Sequence, residues 1–229
     1  MENLKKAYKL LDDMQTLVYN ELKKTRTFKY GRTQTNLKRM SLGNSKLHSI
    51  LIFDMLEGLK GSCKFDCEQC YAKKSSRMYI NSEQFKTVNY FMAKNHETEL
   101  EIILRIQLKV TNIKTVRIHS SGDFFSNSYI NMWERIIKDF PHIKFYAYTK
   151  SKDFFDFDNI CKLQNFNLID SFAIINNQKV LNYGNEEHIE KLVKQGYFLC
   201  PATKNDWKGK CGKECFYCIT NDKVCFNQH

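Results

Sequence analysis

The chain has 229 residues, 42% hydrophobic and 27% charged, enough for one substantial core and ordinary for a soluble globular protein. No run approaches the ~18 apolar residues of a membrane span. The N-terminal stretch MENLKKAYKLLDDM carries acids and lysines where a secretory signal would be apolar, so a cytoplasmic location is expected.

Leu4, Tyr8, Leu11, Met14, Val18 and Leu22 recur at spacings of three and four and predict an amphipathic helix over residues 3–24. Polar residues from Thr25 to Lys46, with Gly31 and Gly43, read as a loop or arm. Residues 1–48 hold eleven Lys and Arg against four Asp and Glu, most of the formal charge of +11. Such an arm can hold phosphates, centred on Lys23, Lys24, Arg26, Lys29 and Arg32, or can act as a solvated surface.

HSILIFDM, from His48, is the first predicted strand. A loop with Gly58 and Gly61 follows and contains Cys63, Cys67 and Cys70. Helical patterns return near residues 82–94 and 97–110. KTVRIHS, ending at Ser120, is the second strand and is broken by SSGDFFS. NSYINMWERIIKDF is a helix closed by Pro141. KFYAYT is the third strand, NLIDSFAII the fourth and GYFLC the fifth, with NEEHIEKLVKQ a helix between the last two. This alternation predicts a parallel sheet with right-handed crossovers, either an open doubly wound sheet or an incomplete barrel. Both architectures put functional loops at the carboxyl ends of strands, where the first cysteine loop and the SSGD turn fall. The expected organisation is an N-terminal helix and basic arm over 1–47, an α/β region over 48–199 and a cysteine-rich extension over 200–229.

Eight of the nine cysteines form two clusters that share the spacing C-x3-C-x2-C. Reduced cytoplasmic thiols clustered in this way more often bind metal than form disulfides. Cys63, Cys67 and Cys70 supply three thiolates. A [4Fe-4S] cluster held by three cysteines keeps one iron open to an exogenous ligand. A structural zinc would need a fourth ligand, such as His48 or His119. The second set, Cys200, Cys211, Cys215 and Cys218, completes a four-thiolate shell for zinc or [4Fe-4S], with Cys225 as a spare or alternative ligand. Thr220-Asn221-Asp222 predicts a hairpin knuckle between Cys218 and Cys225. Without metal this extension has little core of its own. Cys161, alone in a helical segment, reads as a buried small hydrophobe.

Around these clusters His119 reads either as a buried, hydrogen-bonded imidazole or as a base or ligand. Trp133 reads as core. Phe124 and Phe125 either wall a base or pack inside. Tyr146 and Tyr148 alternate and share a face, as Arg117 and His119 do. An inward Arg117 would suit a carboxylate or phosphate, an outward one a salt bridge. No Walker-type loop, GxGxxG, GxSxG or HExxH motif occurs, nor the H-x-E and P-C-x-x-C pair of zinc deaminases.

The C-x3-C-x2-C loop after a first strand resembles the radical S-adenosylmethionine (SAM) superfamily. The resemblance implies a partial (β/α)6 barrel and a [4Fe-4S] cluster on Cys63, Cys67 and Cys70. The open iron would chelate SAM, whose reductive cleavage gives a 5′-deoxyadenosyl radical. Ser121, Gly122 and Asp123 stand where that superfamily carries a Gly-Gly-Glu-like turn that contacts the SAM amino group. Thr149 stands at a Thr-Asn-Gly-like turn. The chain departs from the pattern at Gln69, where an aromatic often precedes the third cysteine, and in its single Gly122 and shorter Asp123.

SLGNSKL (41–47), SCKFDCEQCYAKK (62–74), the RIHSSGDF run with its helix and YAYTKS, and the CPATK…CGKECFYC tail more closely resemble the phage gene-product-88 domain family. That family's function is undefined; the resemblance implies the same scaffold, a second cysteine site and the cytosol of a phage-infected host. The expected function is therefore an iron–sulfur enzyme of radical-SAM type that draws on a reductant and acts on a nucleic acid or nucleotide. The alternative is a non-catalytic nucleic-acid-binding or host-interaction protein with structural metal sites.

Overall fold

A computed structural model describes residues 2–25, 39–43, 47–67, 70–203 and 207–227. Most of the predicted basic arm, including Arg26, Lys29 and Arg32, lies outside the described residues. Among the described residues no helix is long and apolar enough to cross a membrane.

Helix α1 spans Glu2–Thr25, close to its predicted bounds. A short strand β1 (Ser41–Leu42) leads to β2 (Ile50–Phe53). Three helices follow the first cysteine loop: α2 (Tyr71–Met78), α3 (Ile80–Asn95) and α4 (Glu97–Val110). Strand β3 (Thr115–Ile118), helix α5 (Asn127–Asp139) and strand β4 (Lys144–Thr149) come next. A single turn, α6 (Asp158–Cys161), then precedes β5 (Phe166–Asp170).

The periodicities explain these helices. In α4, Leu100, Ile103, Leu104 and Leu108 are all buried, the i, i+3, i+4, i+8 signature of one apolar stripe. In α5 the Ser126 hydroxyl accepts from the Tyr129 N–H, satisfying an amide with no intrahelical partner. The same helix buries Tyr129, Ile130, Trp133, Ile136 and Ile137 on one side.

The main sheet has five strands in the order β1-β2-β3-β4-β5. Strand β1 is an antiparallel edge; β2 to β5 are parallel. Because each crossover steps one strand in the same direction, right-handed connections stack the helices between these strands on one face. A doubly wound sheet, which reverses direction and covers both faces, is thereby ruled out for these strands. Leu51, Phe53, Val116, Ile118, Phe145, Ala147, Phe166 and Leu168 point to the helix side and share one core with α1, α3, α4 and α5. The alternate residues Ile50, Ile52, Tyr146 and Ile169 form a second, smaller core on the opposite face. Tyr146 and Tyr148 do share that face, with rings 6.2 Å apart.

Several expectations change at the sheet's margins. NLIDSFAII is two strands, not one: β6 (Phe172–Ile175) leaves the main sheet and pairs in a hairpin with β7 (Gln178–Leu181). The Ser171 N–H bonds to the Thr149 carbonyl and the Asp170 carboxylate takes the Phe172 N–H, which redirects the chain at that point. GYFLC contributes β9 (Phe198–Leu199), which pairs with β10 (Val224–Asn227) in a separate three-stranded sheet with β8 (Tyr183–Gly184). Helix α7 (Glu186–Lys194) packs against this sheet, capped by the Asn185 side chain. The knuckle expected at Thr220-Asn221-Asp222 is not a hairpin. A short α8 (Tyr217–Thr220) ends there, and β10 runs parallel to both of its neighbours. Cys161 is exposed, so its expected burial is also corrected.

The shared face expected for Arg117 and His119 is overturned. Strand alternation would carry His119 to the same side as Arg117, but His119 adopts φ 64°, in the left-handed region. The backbone twist swings the imidazole back to the helix side, where it lies among Phe53, Phe124 and Tyr129.

Candidate functional site

The carboxyl ends of β2, β3 and β4 meet at one edge of the sheet. Asp54, one residue beyond β2, receives the Ser120 and Ser121 N–H groups at 2.7 Å each and the Ser120 hydroxyl at 2.8 Å. That carboxylate locks the turn after β3 onto the end of β2. The chain then tightens at Gly122, and Asp123 faces the end of β4. Its carboxylate accepts from the Thr149 hydroxyl (2.7 Å), the Phe124 N–H (2.7 Å) and the Lys150 N–H (2.9 Å). Burial pushes the Asp123 carboxyl up, against the pull of these donors. Of the sequence-predicted cofactor contacts, Asp123 and Thr149 are thus bonded to each other, and Gly122 forms the turn. Ser121 is buried and donates to the Met55 carbonyl and to Glu57 Oε2.

The first cysteine loop lies against this edge. The Asp123 N–H donates to the Ser62 hydroxyl at 2.9 Å, and Ser62 donates to the Leu56 carbonyl. The next residue, Cys63, is therefore fixed beside Asp123. Cys63, Cys67 and Cys70 are half-buried free thiols close enough to feel one another's charge. Burial above all pushes the Cys63 thiol up to about 12, with Asp123, Cys70 and Cys67 adding to the rise. A thiolate at Cys63 therefore needs a cation or metal to stabilise it. Lys150 Nζ stands 3.0 Å from the Cys67 sulfur and 3.4 Å from the Tyr183 hydroxyl. The Tyr71 hydroxyl, next to Cys70, donates to the Ser120 carbonyl.

The second cysteine set, with the short α8 that carries Cys218, occupies the opposite face of the sheet. Cys211 and Cys218 pack on Ile50, Ile52, Tyr146 and Ile169. Asn167 on β5 donates to the carbonyls of Cys218 (3.0 Å) and Asn221 (2.8 Å), and the His48 N–H donates to the Cys211 carbonyl (2.8 Å). The charges of Cys211, Cys215 and Cys218 reach Cys200, which burial first and these neighbours second push up to about 12; Cys211 rises to about 11 for the same reasons. Tyr148 hydrogen-bonds to Cys218, and the Arg117 guanidinium lies 5.0 Å over the Tyr148 ring. Arg117 thus lies on the face that carries Tyr146 and Tyr148. The Cys225 side chain is buried with Ala173, Ile189 and Leu192, and its carbonyl accepts the Cys200 N–H at 2.9 Å.

The histidines expected as fourth zinc ligands do not join the first loop. His48 is exposed beside Cys211, and His119 is sealed on the helix side with Nε2 2.9 Å from the Tyr129 hydroxyl. Among the described residues no group of three or more His, Cys, Asp or Glu side chains is gathered to hold a single metal ion. The residues of this edge that could hold a metal centre are the free thiols Cys63, Cys67 and Cys70.

Phe124 and Trp133 are fully buried, so neither walls a ligand. Burial, then the charge of Arg117, lowers the His119 pKa to about 3. Because the folded value lies below the unfolded one, this contribution to stability is complete above the ordinary imidazole range near ~6.5 and is lost as pH falls towards the folded value. Urea unfolding should show the wild type losing more stability from pH 7 to pH 5 than His119→Gln. Equal losses would remove His119 as the cause.

Sequence reasoning missed Lys150, Asp54, Glu57 and Ser62. Lys150 carried a signal, since it follows Thr149 at a strand's carboxyl end. So did Asp54, a carboxylate closing an apolar strand.

The profile of a family described as Gene product 88 matches residues 16–226. The Gene 88 protein of Mycobacterium phage D29 is 42% identical over 55 residues, 24% of this chain and 23% of that protein. The Gene 88 protein of Mycobacterium phage L5 is 51% identical over 37 residues, 16% of each. The matched stretches thus span less than a quarter of these curated relatives. No solved structure matches the chain.

Proposed function

The chain belongs to the gene product 88 family, and for this member we propose an iron–sulfur enzyme of radical-SAM type on a partial-barrel scaffold. The observation that carries the reading is the meeting of three loops at one carboxyl edge. The C-x3-C-x2-C loop lies against the SSGD turn, through Asp123 N–H to Ser62 Oγ at 2.9 Å, and against Lys150, through its Nζ to Cys67 Sγ at 3.0 Å, while Thr149 joins the end of β4 to Asp123 at 2.7 Å. Parallel strands in chain order, with the helices that connect them on one face, are an arrangement a barrel segment would have, and its chemistry would sit at that edge.

Cys63, Cys67 and Cys70 would hold the cluster, which when bound supplies the electron for reductive SAM cleavage. The chain's own part is to position. Asp54 and Asp123 fix the two turns, and Ser62 fixes the cysteine loop. The second cysteine set, with Cys200, Cys211, Cys215 and Cys218, would hold [4Fe-4S] or zinc and fasten the C-terminal segment over the second face of the sheet. A nucleic acid or nucleotide is the proposed substrate class, supported by the charge of residues 1–48.

The test is anaerobic purification followed by iron and acid-labile sulfide analysis. Brown protein whose visible absorbance bleaches on reduction is expected, with Cys67→Ala losing the first site's share of iron and all dithionite-driven SAM cleavage. Colourless protein with stoichiometric zinc overturns the reading.

A further inference from the structure

Lys150 is a half-buried lysine with an unusual set of partners. Its backbone N–H is spent on Asp123, and its side chain crosses the carboxyl edge to a sulfur. The ammonium also lies 5.1 Å from the centre of the Tyr183 ring and within 3.4 Å of that hydroxyl. Tyr183 belongs to β8, which pairs with β10, so the C-terminal sheet braces the lysine from behind. Three separate elements therefore aim one donor at Cys67: β4 through the backbone, the SSGD turn through Asp123, and β8 through Tyr183.

We propose that Lys150 is a positioning residue that donates a hydrogen bond to the Cys67 sulfur and thereby sets the reduction potential of the centre held by the first cysteine loop; this rests on the iron–sulfur reading above. Reduction adds one electron, and hence one negative charge, to the centre and its thiolates. A fixed ammonium at one sulfur stabilises the reduced form more than the oxidised form. Hydrogen bonds to cluster sulfurs and local charge are among the terms that set such potentials. Without the donor, the centre should be harder to reduce. Arginine at the same position keeps both charge and donors.

The experiment is a dithionite titration of the anaerobic holoprotein followed by electron paramagnetic resonance, with iron counted per chain. Cys67→Ala identifies which signal belongs to the first site. Lys150→Met, of similar length and without a donor, should keep the iron content and move that signal's midpoint to a more negative potential. Lys150→Arg should return it most of the way, and the signal of the second site should stay in place in both. Iron-loaded Lys150→Met protein with an unmoved first-site midpoint overturns this proposal alone. Wild-type protein that holds no iron at the first site overturns the iron–sulfur reading and this proposal together. If Lys150→Met loses iron, Lys150→Gln, which keeps a shorter donor without the charge, decides: a midpoint more negative than wild type supports the proposal, and a wild-type midpoint overturns it.

Discussion

Lys86→Met is expected to cost about 3–5 kcal/mol in urea unfolding, because it strands a buried carboxylate. Lys86 Nζ lies 3.4 Å from Glu57 Oε2, and both side chains are about 5% exposed or less. The same ammonium reaches Ser76 Oγ at 3.1 Å and the Ala72 carbonyl at 3.5 Å, and Glu57 accepts from Ser121 at 2.8 Å. The pair therefore ties the helix that follows Cys70 to the turn that precedes Asp123. Replacing both partners, Glu57→Gln with Lys86→Met, should recover much of the loss, since no ion is then left alone. Burial raises the Glu57 carboxyl, but the Ser76 bond, the Lys86 charge and the Ser121 bond outweigh it and hold the group below its ordinary value. A depressed folded pKa gives stability that is complete above the unfolded value near ~4.3 and is lost as pH falls through the folded one. Wild-type stability should therefore drop more steeply below pH ~4.3 than that of the double variant. A Lys86→Met protein as stable as wild type would show that the pair is not what joins these segments.

The helices and the four parallel strands were readable because burial is periodic in them. The stripe Leu100, Ile103, Leu104, Leu108 and the strand KFYAYT leave little choice of element. What eluded the sequence was where strands stop belonging to one sheet. NLIDSFAII is continuous in hydrophobicity, and only the Ser171 and Asp170 hydrogen bonds divide it. GYFLC has a strand's composition, yet its partner is β10, more than twenty residues away in sequence, and no local pattern announces that pairing. Helix α2 was hidden because only Ala72 and Ser76, both small, face inward.

The site was legible to the extent that its residues stood in motifs. Cys63, Cys67 and Cys70 stand out by spacing and Asp123 and Thr149 through the resemblance to the radical-SAM turns, and these residues lie along one edge. The support beneath them was not, because Glu57 and Lys86 stand 29 residues apart and no spacing rule links them. His119 misled for a different reason. Alternation assumes extended backbone, and one residue at φ 64° breaks the count. A positive φ outside glycine cannot be read from sequence, although a histidine between a strand and a Ser-Ser-Gly turn is where the chain must begin to bend.

Gly122→Ala should destabilise the protein by about 3 kcal/mol, from a strained left-handed alanine together with overpacking. Gly122 has φ +84°, and a Cβ there would stand 2.6 Å from Ser62 Oγ, 2.9 Å from Met55 Cβ and 3.0 Å from the Met55 carbonyl oxygen. Two of these neighbours belong to the chain that leaves β2 and cannot yield without moving the cysteine loop. The third, Ser62, holds the Asp123 N–H and the Leu56 carbonyl, and its displacement carries Cys63 with it. A second substitution separates the causes. Ser62→Ala removes the closest contact but leaves the backbone angle and both Met55 contacts, so Gly122→Ala with Ser62→Ala should recover only part of the loss. Full recovery would locate the whole cost in the serine hydroxyl. No loss in Gly122→Ala alone would mean that the turn can relax, and that the SSGD segment does not hold the cysteine loop in place.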